Sequence, residues 1–127
     1  MSLRSPLGRV LGHGVGGNGV HHWWRQRVTA LALLPLTLWL LAALLSLPLA
    51  DHAAVTRWIG AGLHPLWLVI TILIMTWHSS LGVQVVIEDY VHAAGLRTLS
   101  LIAARFAHFI VAAVAIYAVL RIALRSA

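Results

Sequence analysis

The chain has 127 residues, 61% of them apolar and 9% charged, against roughly 45–50% and about 25% in a soluble domain. A solvated globule of this length could not cover so much apolar surface. With no cysteine, the chain builds no disulfide framework, no thiolate-held iron–sulfur cluster and no C-x-x-C-H haem attachment.

Nine arginines, no lysine and three acids give a formal charge of +6. The arginines mostly flank apolar blocks, which ties the charge to membrane orientation and anionic lipid rather than to nucleic acid. Residues 1–26 read as a polar arm, with Gly8, Gly12, Gly14, Gly16, Gly17 and Gly19 beside Arg4, Arg9 and Arg25. The first apolar block starts too late and runs too long for a secretory signal, and the arm lacks the amphipathic pattern of a mitochondrial transit peptide.

Three apolar blocks follow, in a single anchor unit over residues 27–127. Leu31–Ala50 carries no charge over 20 residues, the length needed to cross the hydrocarbon core. No Asp, Glu, Lys or Arg stands between Arg57 and Glu88, and Pro65 suits a first helical turn, where its missing N–H costs little. Leu99–Val119 is interrupted by Arg105, whose long stem lets the guanidinium snorkel from just inside the bilayer. The expected fold is all-α and integral to the membrane, with three transmembrane helices over about residues 28–50, 64–91 and 98–124. Three helices offer few interior positions for the polar groups at membrane depth, so a partner subunit is expected to complete a helix bundle. With the N-terminus inside, Arg4, Arg9, Arg25, Arg27 and Arg97 are cytoplasmic and Arg57, Arg121 and Arg125 lie opposite, which predicts a cytoplasmic N-terminus and Tyr90–Arg97 turn.

His78 is the most informative residue, near the middle of the second helix in Thr76-Trp77-His78-Ser79-Ser80-Leu81-Gly82. An imidazole at that depth is a functional candidate, and a neutral histidine hydrogen-bonded to a neighbouring helix is the structural alternative. Gly82 lies one turn on, on the same face, where a missing side chain opens room for a flat group such as a haem edge, or for a close helix crossing. Arg25, Arg27, His21 and His22 stand at the mouth of the first helix, as propionate partners or as a headgroup anchor. Asp89 follows His78 by three turns on nearly the same face, and Tyr90 beside it belongs to an aromatic belt or to a quinone carbonyl.

Asn18-Gly19-Val20-His21, then Arg27, Thr29 and Ala30, then His78, Gly82 and the run Leu81-Gly82-Val83-Gln84-Val85-Val86-Ile87-Glu88-Asp89-Tyr90-Val91 resemble the small hydrophobic anchor subunit, D-type, of succinate dehydrogenase (complex II). The resemblance covers the chain from about Gly16 onward, while residues 1–15 and the loop from Asp51 to Gly62 add nothing to it. It implies that His78 is an axial ligand of haem b, with the other ligand from a C-type cytochrome b anchor subunit. It implies that His21 and Arg27 contact the haem propionates, and that Tyr90 and Asp89 bind ubiquinone. FAD and iron–sulfur clusters would reside only in a flavoprotein subunit and an iron–sulfur subunit docked on the anchors. Electrons would pass from succinate to ubiquinone, with no catalysis by this chain alone. The implied location is a bacterial inner membrane rather than a mitochondrial one. His22 and Gln84 depart from the pattern in some relatives, at the edges of the propionate and quinone surroundings.

Rival readings keep the same residues. A quinol:fumarate reductase anchor is built alike and runs the electrons in reverse. A small transporter subunit would use the intramembrane histidines as a pathway. His64, fourteen residues before His78, could serve a second haem only with matched histidines on another helix, which His92 and His108 supply poorly. Helix–helix hydrogen bonding is the expected role of His108.

Overall fold

The computed structural model describes residues 16–126. The start of the polar arm, with Arg4, Arg9 and His13, lies outside the described residues. The described chain is all helical: α1 (Gly16–Ser46), α2 (His52–Gly60), α3 (His64–Tyr90) and α4 (Ala94–Ser126). Three of these, α1 from Gly19, α3 and α4 to Arg125, are long and apolar enough to cross a membrane.

The helices differ from expectation in their ends, with α1 stopping at Ser46 and α4 starting at Ala94, and in two larger respects. The first helix already runs at Gly16, through glycines that have weak helix propensity. Its extra turns carry His22 and Gln26, both half-buried, and packing against α3 outweighs local preference there. The segment between the first two spans also holds a helix of its own, α2. Its start is set by Asp51, whose Oδ1 accepts from the Ala53 and Ala54 amides at 2.9 and 3.1 Å and satisfies two donors the helix cannot satisfy itself. Gly62, with φ of +52°, makes the turn from α2 into α3, a left-handed conformation that other residues adopt at a cost. Pro65 occupies the first turn of α3 as expected. Pro35 sits inside α1, which the membrane setting tolerates.

The helices form a row. α3 packs against α1 on one side and α4 on the other, and α2 rests on α3 and α4, while α1 and α4 make no contact among the described residues. A small set of apolar side chains, Leu36, Ala43, Leu81 and Val119, is buried between the helices. Thr29 and Thr71 are buried too, at 5% and 3% exposure. Leu31, Leu38, Leu45, Phe109 and Leu124 face outward. In lipid, apolar contact gives helices little reason to associate, so close packing and interhelical hydrogen bonds hold the row.

The α2 end is fastened by aromatics. Trp39 of α1 stacks on Trp58 of α2 at 5.7 Å between ring centroids and lies 6.3 Å from Trp67 of α3. His64 stacks on Trp58 at 4.4 Å and donates its Nδ1–H to the Trp58 carbonyl at 2.7 Å. His64 thus ties α2 to the start of α3. Indoles with their polar edges near water suit this interfacial level.

Candidate haem and quinone sites

His78 faces α1, half-buried, and meets the buried hydroxyl of Thr29. The Thr29 Oγ1 donates back to the Arg25 carbonyl at 2.8 Å, with the Gln26 carbonyl at 3.1 Å. It lies 2.9 Å from His78 Nδ1. A hydroxyl has one proton and two lone pairs. With that proton on the backbone, Thr29 accepts from His78, so Nδ1 carries the hydrogen and Nε2 keeps its lone pair. A second partner that fixes the tautomer in this way is what metal-ligating histidines usually have.

The Nε2 side opens on a small polar recess. The Gln26 amide nitrogen is 3.5 Å from His78 Nε2, a long contact onto the lone pair. A Cβ placed on Gly82 would meet that same amide nitrogen at 3.7 Å. Gly82 therefore leaves room occupied by the end of one flexible side chain. Gln26 Oε1 and His22 Nε2 are buried with no hydrogen-bond partner among the described residues. Buried polar atoms left unpaired cost free energy, and two of them on one face of α1 mark a site completed by another group. His22, Gln26 and Thr29 recur at i, i+4 and i+7, one helical stripe. Sequence reasoning placed His22 only at the helix mouth and passed over Gln26, although this stripe in an otherwise apolar helix was the available signal.

The other expected residues lie apart. His21 and Arg27 are exposed, on faces of α1 turned away from His78 by the 100° step per residue. The Arg27 guanidinium carbon lies 5.4 Å from the Trp23 ring centroid, a cation–π contact. Asp89 and Tyr90 end α3, both exposed, Tyr90 at 78%. No hydrogen bond joins them among the described residues, because adjacent helical side chains diverge by about 100°. Beside them Gln84 donates to Glu88 at 2.8 Å, one turn apart. Two of the three carboxylates, Glu88 and Asp89, thus gather at this end of α3.

His108 has the interhelical role expected of it. Its Nδ1–H donates to the Ala104 carbonyl at 2.7 Å, which leaves Nε2 to accept from Ser79 Oγ at 3.2 Å. That bond ties α4 to α3 at membrane depth. Among the described residues no three His, Asp or Glu side chains cluster around a common point.

Comparison with known proteins agrees with this layout. A family profile described as the succinate dehydrogenase/fumarate reductase transmembrane subunit matches residues 1–119. The succinate dehydrogenase hydrophobic membrane anchor subunit of Rickettsia bellii is 32% identical over 103 residues, 81% of this chain and 82% of its own length. That of Rickettsia conorii is 36% identical over 96 residues, 75% of this chain and 76% of its own. The succinate dehydrogenase membrane anchor subunit of Reclinomonas americana is 32% identical over 87 residues, 66% of this chain and 72% of its own. No solved structure matches the chain significantly. With three apolar helices, a profile match across nearly its whole length and relatives covered over most of theirs, the chain belongs to the family of succinate dehydrogenase membrane anchor subunits.

Proposed function

We propose that this anchor shares one haem b with a C-type partner anchor and forms part of a ubiquinone site at the Tyr90 end of α3. The observation that carries this reading is the Thr29–His78 hydrogen bond of 2.9 Å, which leaves the Nε2 lone pair, met only by a long 3.5 Å contact from the flexible Gln26 amide, as an imidazole donor in an apolar layer. Gln26 and His22 bring polar atoms without partners to the same face, and Gly82 keeps that face open, so the residues fit a flat group with polar substituents. His21 and Arg27, exposed at the same end of α1, supply an imidazole and a guanidinium for propionates. A bound haem b supplies one-electron redox capacity beside the quinone.

At the quinone site, the Tyr90 hydroxyl donates a hydrogen bond to a quinone carbonyl, polarising it toward reduction. Asp89, exposed at the interface, passes a proton from water. Quinone takes up two electrons and two protons overall, and succinate loses the same number at a flavin in another subunit. The carboxylates and exposed backbone of the α3–α4 turn form the seat for an iron–sulfur subunit, which carries a flavoprotein subunit. The arginine distribution favours a cytoplasmic side for this face, and the Rickettsia relatives support a multi-pass location in a bacterial inner membrane. The relatives' names favour succinate oxidation over the reverse reaction, which the family description also spans.

The test is a redox difference spectrum of the purified assembly with His78→Leu. The expected result is loss of the b-type absorbance while succinate oxidation by a soluble acceptor persists. An unchanged spectrum with unaltered ligation refutes the assignment of His78.

A further inference from the structure

We propose that the groove between α2 and the C-terminal turns of α4 binds the headgroup of an anionic phospholipid. The groove has a volume of about 600 Å³ and is lined by His52 and Thr56 of α2 and by Tyr117, Arg121 and Arg125 of α4, among others. The α2 pair recurs at i and i+4 and the α4 set at i, i+4 and i+8, so two polar stripes face each other across it.

Charge identifies the occupant as an anion. The whole chain has three acids. Glu88 and Asp89 stand at the opposite end of α3, and Asp51 is committed to capping α2. Nothing in this chain's acidic side chains is left to neutralise Arg121 and Arg125, which lie one turn apart. Polarity along α4 identifies the anion as part of an amphiphile. Toward the bilayer centre the same wall becomes Ala118 and Val114, both exposed, about 10 and 16 Å below Arg125 at 1.5 Å per residue. A phosphodiester at the arginines therefore continues into acyl chains along an apolar helix face. The level is right as well: α4 spans 33 residues, about 50 Å, so its last turns reach the headgroup layer. Tyr117, one turn before Arg121, adds an aromatic ring to the same wall.

The test uses the intact assembly in a neutral detergent, stripped of lipid and exposed to nanodiscs of phosphatidylcholine containing phosphatidylglycerol, with bound lipid counted by native mass spectrometry. Wild type is expected to retain one phosphatidylglycerol per anchor chain and to show no saturable retention from phosphatidylcholine alone. At the strength of an interfacial arginine, R121Q or R125Q lowers affinity about fivefold and the pair about thirtyfold, while R121K/R125K keeps most of it. A118F, on an exposed position, narrows the apolar wall without touching charge and is expected to weaken retention even if the double glutamine variant fails to assemble. Equal retention in wild type and R121Q/R125Q overturns the proposal. Displacement of the lipid by inorganic phosphate overturns it in favour of a free-anion site. Loss of another subunit from R121Q/R125Q, with lipid retention unchanged, overturns it in favour of a protein carboxylate in the groove.

Discussion

Thr29 decides the chemistry of His78 through one proton. Valine has nearly its shape and no acceptor, so Thr29→Val strands the His78 Nδ1–H in a dry setting at a cost of about 1–3 kcal/mol. Loss of such a second partner weakens metal affinity roughly 10–100-fold. The expected outcome is a lower haem content per assembly and an altered low-spin signal in electron paramagnetic resonance, with Thr29→Ser close to wild type. An unchanged signal in Thr29→Val separates Thr29 from the ligand. Tyr90 offers the complementary test at the other end of α3. Tyr90→Phe is expected to slow succinate:quinone reduction about tenfold or more, the scale of one lost hydrogen bond, and to spare reduction of a soluble acceptor. Equal quinone reduction removes the hydroxyl from the site. His78, Asp89 and Tyr90 were legible because an imidazole in an apolar helix and a carboxylate–phenol pair at its end stand out by composition alone. Gln26 was not, because an amide beside two arginines reads as interfacial polarity until the helix is known to extend past it.

At the scale of elements, the three spans were legible from charge-free length, and α2 was not. Its nine residues are too few to show a period, and its stability comes from Asp51 at one end and the tryptophan cluster along one side. Asp51→Ala removes the cap and costs about 1 kcal/mol. Amide hydrogen exchange over Val55–Ile59 should then quicken about fivefold, with Asp51→Ser restoring protection. No change in exchange would show that Trp39 and His64 hold α2 unaided. Gly82 gives a graded test of the α1–α3 crossing. The contact of 3.7 Å that a Cβ would make with the Gln26 amide is ordinary, so Gly82→Ala should fold normally. Gly82→Leu drives bulk into the space beside His78 and costs about 1–3 kcal/mol by overpacking, read as a lower melting temperature of the assembly.

At the scale of the molecule, a row of three helices leaves two broad sides open, and the orphaned atoms of His22 and Gln26 lie in it. Tyr90 and Phe109 are exposed at 78% and 73%. Produced without its partner anchor, the chain is expected to elute as aggregate from a mild detergent column, and with the partner as one defined peak. A monodisperse chain on its own would show that the row is self-sufficient. The sequence pointed to a missing partner from the number of polar groups at depth. It was silent on the arrangement, since nothing in periodicity tells which helix stands in the middle.

That α3 alone bridges its neighbours has a consequence for biosynthesis. α1 leaves the ribosome first and enters the bilayer with the Thr29 hydroxyl, and at the interface Gln26 and His22, without α3 to face. It waits there, its polar stripe poorly solvated, until the segment bearing His78 is inserted beside it. The arriving span brings the first partner for that stripe, and α4, which packs on α3, docks after it.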